Sequence, residues 1–130
     1  MLQIGPVQID CPAVQAALSG YSDLAMRRVA RMHGAAYALN EVVLDQTVLT
    51  RGKKQRRMTR VPADDHPVGG QLMGAEPEAF ATAADMLVDA GYDVIDINFG
   101  CPVRKVLGRC RGGFLLSDPS AALDIVHGVD

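Results

Sequence analysis

Val94-Ile95-Asp96-Ile97-Asn98-Phe99-Gly100-Cys101-Pro102 is the stretch that decides the fold. Val94, Ile95 and Ile97 give the near-continuous apolar run of a strand covered on both faces, and Gly91 stops a helix just before it. The pattern predicts a parallel, central strand. It ends in an amide, a glycine, a thiol and a proline turn, residue types that suit binding and chemistry better than packing.

Working outward, the same strand-then-helix alternation recurs. Downstream, a glycine-bearing loop leads to Asp118 as N-cap, Pro119 in the first helical turn, and Ala122, Ile125, Val126 and Val129 as a buried stripe. Upstream, Val68 to Met73 reads as a strand, followed by Glu76-Pro77-Glu78 and a helix with Phe80, Ala83, Ala84, Leu87 and Val88 at i, i+3, i+4, i+7 and i+8. Before it, Ala35 to Val43 reads as a strand with a brief helix over 44–50. At the start, residues 12–18 read as a short strand, and Gly20 and Ser22-Asp23 then cap a helix with Ala25, Val29 and Met32 on its apolar face. Four βα units imply a parallel sheet with helices outside, either an open doubly wound sheet or a (β/α)8 barrel.

The bulk composition narrows the class. A chain of 130 residues, 48% hydrophobic and 22% charged, has the make-up of one soluble globular domain. A net charge of −2 argues against general nucleic-acid binding by basicity, so any RNA contact must come from a local patch. Arg51 to Arg60 is such a patch, with six cations in ten positions and no interleaved aromatic ring. A solvated loop is the competing reading. Cys11, Cys101 and Cys110 form an odd set without metal-ligand spacing, which suits a reducing, cytoplasmic setting. His33, His66 and His127 are scattered, so no metal site is expected. No apolar run approaches the roughly 20 residues of a membrane helix, and Met1 to Pro12 lacks the character of a signal peptide.

Asp96-Ile97-Asn98-Phe99-Gly100-Cys101-Pro102-Val103-Arg104-Lys105 closely resembles the D-I-N-x-G-C-P-x-x-K signature of the tRNA-dihydrouridine synthases. The resemblance runs on through Val106 and Gly112 to Leu116. It also takes in Ile4-Gly5-Pro6, Leu18 to Asp23, Asn40-Glu41 and Pro67 to Gly74 in the family's order. It covers the first half of that family's catalytic domain. What it implies is a parallel (β/α)8 TIM-barrel type, here only about the first four βα units, with residues 1–130 as a partial flavin-binding domain.

The implied activity is flavin-dependent reduction of uridine to 5,6-dihydrouridine in tRNA, with FMN as cofactor and NADPH as reductant. Cys101 would be the catalytic residue. A thiol, with a reference pKa of about 8.5, is protonated at neutral pH and able to donate its proton. The competing reading is a buried structural cysteine. Ala17, Leu18, Ser19 and Gln71 would bind the cofactor, although Ala17-Leu18-Ser19 departs from the family's usual Pro-Met-Ala. Asn98, Glu41, Arg104 and Lys105 would meet the substrate. For Asn98 the alternative is a residue satisfying turn backbone; for Glu41, Arg104 and Lys105 it is solvated charge.

Barrels of this type take about 250 residues. A four-unit piece leaves parallel edges unpaired, so the expectation is a truncated or partial enzyme, or one that completes itself by self-association or with a C-terminal half. The alternatives are another FMN barrel reductase acting on a small molecule, or a catalytically silent half-barrel that binds RNA or a protein partner.

Overall fold

The computed structural model describes residues 2–129. Its centre is a parallel sheet. Strand β5 (Val68–Met73) pairs on one edge with β6 (Val94–Ile97), Gly69 opposite Val94 through Leu72 opposite Ile97. On its other edge it pairs with two short strands, β3 (Ala38–Leu39) and β4 (Val43–Leu44). Strand β6 is parallel, as expected, but it is not central. Its outer edge carries no strand among the described residues, and its side chains are half-buried rather than enclosed.

The single strand expected over 35–43 is broken. Leu39 pairs with Gly69 and Val43 with Leu72, so four steps along one strand match three along the other. The extra residue makes a bulge at 40–42. Asn40 fills it: its buried carboxamide oxygen accepts from the Gln71 amide at 2.7 Å, and its Nδ2 donates to the Tyr92 hydroxyl at 3.0 Å. The side chain therefore stands in for the missing ladder carbonyl.

The strand expected over 12–18 shrinks to one parallel bridge, Gln15 opposite Ala38. Pro12 has no N–H to give to a ladder. The Leu18 amide donates to Ser22 Oγ at 2.6 Å, and that hydroxyl donates to the Ala16 carbonyl at 2.8 Å. These groups serve the turn and not the sheet. Ahead of this segment lies an antiparallel hairpin, β1 (Leu2–Ile4) and β2 (Val7–Ile9), whose three-residue strands are too short to show a period in sequence.

Helix α1 (Leu24–Met32) begins where expected, Asp23 accepting from the Met26 amide at 2.9 Å. Its expected apolar face is wrong. Val29 is 54% and Met32 83% exposed, whereas Arg27 is 2% exposed. The inward face is ionic: Arg27 Nε donates to Asp65 at 2.8 Å and Arg31 Nε to the same carboxylate at 3.0 Å. Next come α2 (Asp45–Leu49) and α3 (Lys53–Met58), the latter holding most of the basic run in a short helix with Gln55 buried.

Helix α4 (Pro77–Asp89) carries Pro77 in its first turn and buries Phe80, Ala83, Ala84 and Leu87, while Val88 faces out. Past β6 lie α5 (Arg104–Leu107), a 3-10 helix (Gly112–Ser117) and α6 (Pro119–Val129). Asp118 caps α6 by accepting from the Ala121 amide at 3.2 Å; of the expected stripe, Ile125 is fully buried and Val126 is exposed.

The core joins Val43, Val68, Leu72, Phe80, Leu87, Leu115 and Ile125 on the sheet face that packs against α2 and α4, with α6 packed on α4 and the 3-10 helix. Alternation along the strands sends Gln71, Asp96 and Asn98 to the opposite face. At Gly69 on that face, a Cβ would run into the Tyr37 hydroxyl and the Leu39 side chain, so this sheet position requires glycine. One sheet face is thus apolar and packed, the other polar and open.

Candidate active site

In the β5–β6 register Gln71 lies directly opposite Asp96, and Asn98 follows two residues on, past the end of β6. The three side chains form a chain of hydrogen bonds. Gln71 Nε2 donates to Asp96 Oδ2 at 2.6 Å, and Asn98 Nδ2 donates to Gln71 Oε1 at 2.9 Å. Asn98 Oδ1 then accepts from the amides of Gly100 at 3.1 Å and Cys101 at 3.0 Å. Asn98 thus satisfies turn backbone, the alternative reading of this residue, and through that fixes where Cys101 sits. Each carboxamide keeps one N–H free for a ligand.

Cys101 is a free, half-buried thiol at the carboxyl end of β6. Its carbonyl accepts from the Gly113 amide at 3.0 Å, tying it to the 3-10 helix. Gly112 has φ +57, and a Cβ there would come within 2.9 Å of Cys101 Cβ. Glycine is required at this position on both counts.

An open hollow of about 420 Å³ lies beside the thiol, bordered by Ala17, Ser19, Gln71, Asn98, Gly100 and Cys101 among others. The structure thus brings together the sequence-predicted Ala17, Ser19, Gln71, Asn98 and Cys101. Leu18 does not border the hollow; it is exposed, and its amide is taken by Ser22 Oγ. Glu41 is elsewhere as well. Its carboxylate accepts from the Gly20 amide at 2.7 Å and lines a separate hollow with Arg27 and Arg57. Arg104 and Lys105 are exposed on α5; Lys105 borders a third hollow, and Arg104 borders none of the three. Among the described residues no cluster of three or more His, Cys, Asp or Glu could hold a metal ion.

Two contributors carry no role in the sequence reading. Asp96 anchors Gln71, and its signal is the Asp-x-Asn spacing that puts both side chains on one strand face. Tyr37 is buried on the same face, and burial, then Asp96 and Asp93, push its phenol up to about 12. Burial likewise lifts Tyr92 to about 12, opposed by Arg27 and by the hydrogen bond from Asn40.

A parallel α/β sheet with a thiol and paired carboxamides at its carboxyl rim defines the class, because such sheets keep ligand and catalytic groups at that rim. The particular family follows from comparison. The dihydrouridine synthase family model matches residues 14–130, and the chain belongs to that family. It is 35% identical over 129 residues to tRNA-dihydrouridine synthase B of Shewanella oneidensis, covering 98% of this chain and 40% of that protein. It is 32% identical over 126 residues to a probable tRNA-dihydrouridine synthase of Rickettsia conorii, covering 96% of this chain and 38% of that protein. With tRNA-dihydrouridine synthase B of Pseudomonas aeruginosa the identity is 31% over 129 residues, covering 99% and 39%. The chain thus spans about 40% of the length of the curated relatives it matches. No helix among the described residues is long and apolar enough to cross a membrane.

Proposed function

We propose that this chain is part of a flavin-dependent oxidoreductase that reduces uridine to 5,6-dihydrouridine in tRNA in the cytoplasm. It would form the opening βα units of a (β/α)8 barrel, with residues 1–130 in one partial domain. The observation that carries the reading is Cys101, held at the rim of β6 by the Asn98 carboxamide beside a hollow lined by Gln71. The unpaired outer edge of β6 supports continuation of the sheet, by further strands or by a second copy.

The residues present fit one edge of a planar heterocycle. Gln71 and Asn98 border the hollow and each retain an amide N–H, which suits the alternating N–H and C=O groups of such rings. Ala17, Ser19 and Gly100 are small enough to leave it open. FMN, when bound there and recharged by NADPH, supplies hydride.

The chain's own task is the proton. Reducing the C5=C6 bond of uracil requires a proton at C5, and the Cys101 thiol holds one at the site. Donation forms a C–H bond, breaks S–H and leaves a thiolate that solvent reprotonates. General acids placed in this way contribute about 10²–10⁴-fold. Asn98 positions the thiol, Gln71 orients Asn98, and Asp96 orients Gln71. The full-length protein containing this chain, expressed in cells whose tRNA lacks dihydrouridine, should restore the modification and purify with bound FMN. Flavin-free protein together with unmodified tRNA would refute the reading.

A further inference from the structure

Next to the Cys101 hollow, and sharing Ser19 and Val42 with it, lies a second hollow of about 310 Å³. Four cations line it, Lys54, Lys105, Arg109 and Arg111, and no carboxylate does. Lys54, Lys105 and Arg109 are exposed at its rim and enter no ion pair among the described residues. Arg111 lies deeper, its side chain 16% exposed. Its one charged neighbour is the buried Asp45, at 3.9 Å, too far for a hydrogen bond. Arg111 Nε and Asp45 Oδ2 are both buried without a hydrogen-bond partner. Asp45 thus stands behind the guanidinium without consuming its donors.

An arginine with unspent donors, ringed by three more cations and open to solvent, is an anion receptor. We propose that this hollow seats a backbone phosphate of the polynucleotide whose uridine enters the Cys101 hollow. The inference rests on the function proposed above and extends it by naming where the strand is gripped. A phosphodiester in a chain fits better than a lone phosphate because the charge does not stop at the hollow. Lys54 belongs to α3, whose Lys53, Arg56 and Arg57 are also exposed, so further cations lie beside it on the same short helix. In a chain of net charge −2 that cluster is a local feature suited to a polyanion.

The test is the binding of fluorescent oligouridylate to the chain, read by anisotropy across a salt series. A triple variant, Lys54→Gln with Lys105→Gln and Arg109→Gln, changes exposed side chains only and should fold. It should lower the slope of log K against log salt by about 2, at about 0.7 per lost contact with a single strand. Its affinity should fall by at least about tenfold, as expected for losing charged hydrogen bonds. Arg111→Gln should weaken binding in the same direction, and Arg28→Gln on α1 should not change the slope. The inference is overturned if the chain binds no oligouridylate at low salt, or if the triple variant keeps the original slope. It is also overturned if FMN, but not riboflavin, displaces the oligouridylate, which would assign the hollow to the cofactor's phosphate. RNA binding through these cations by a full-length protein, containing this chain, that never forms dihydrouridine would sink the proposed function and leave this inference standing.

Discussion

Replacing Asn98 by alanine probes how the thiol is held. Three hydrogen bonds disappear: one to Gln71 at 2.9 Å, and those accepted from Gly100 at 3.1 Å and Cys101 at 3.0 Å. Each contributes about 0.5–1.5 kcal/mol net. The Gly100 amide is exposed and can turn to water. The expected loss of stability is therefore about 1–3 kcal/mol, measurable as a lower urea midpoint with an unchanged m-value. The effect on rate should be larger than the effect on stability. With its amide released, the Cys101 turn is free to shift, and about 1 Å of misplacement costs on the order of 10²-fold. Asn98→Asp separates position from stability, because its carboxylate still accepts from both turn amides and loses the donor to Gln71 together with the N–H left for a ligand. It should therefore keep about ten times more activity than the alanine variant. The assay is dihydrouridine formation in tRNA by mass spectrometry, at temperatures where each variant is folded. Equal rates for the two variants, or wild-type rate with alanine, would refute the idea that Asn98 acts by holding the thiol.

Gly112→Ala should destabilise the fold by about 1–3 kcal/mol in thermal melts, since the added Cβ meets Cys101 Cβ at 2.9 Å on a backbone with φ +57. Asp65→Ala strands Arg27 without its buried partner at 2.7 Å and should cost about 3–5 kcal/mol by urea unfolding. Burial raises Asp45 above its ordinary 3.8, with the Gln46 amide and Arg111 opposing. An acid whose folded pKa is raised favours the folded state when protonated, so this contribution is fully present below about pH 4 and is lost as pH rises through the folded pKa. Asp45→Asn should flatten that part of the stability–pH curve, and an unchanged slope would contradict the assignment. Tyr37 and Tyr92, both raised from 10.0 to about 12, obey the same sign. Stability should fall as pH climbs from 10 toward 12, and Tyr92→Phe should reduce that fall, followed by phenolate absorbance alongside unfolding.

What was legible in sequence was what local pattern controls. Strand β5 and α4 follow from apolar runs and periods that their packing uses directly, β6 follows in place and direction but not in burial, and the helix ends follow from Asp23, Pro77 and Asp118. Local pattern places helix α1 but turns it the wrong way, because the burial of Arg27 depends on Asp65, 38 residues distant. It overstates the first strand because nothing in residues 12–18 announces that Ser22 captures their backbone groups. In the site, Cys101, Asn98 and Gln71 do converge, and the register that aligns Gln71 with Asp96 is the part that pattern alone leaves open. Glu41 was a plausible ligand by position, yet its carboxylate is tied to the Gly20 amide. Hydrogen-bond partners of this kind are fixed by tertiary geometry, and no local spacing encodes them.

The most direct measurement compares dihydrouridine in tRNA from dihydrouridine-deficient cells that express the full-length protein containing this chain, with either the native Cys101 or Cys101→Ala. The expected result is restored modification with the native thiol and a loss of at least about 10²-fold with alanine, both proteins retaining bound flavin. Equal modification by the two would show that the Cys101 sulfur does not deliver the proton.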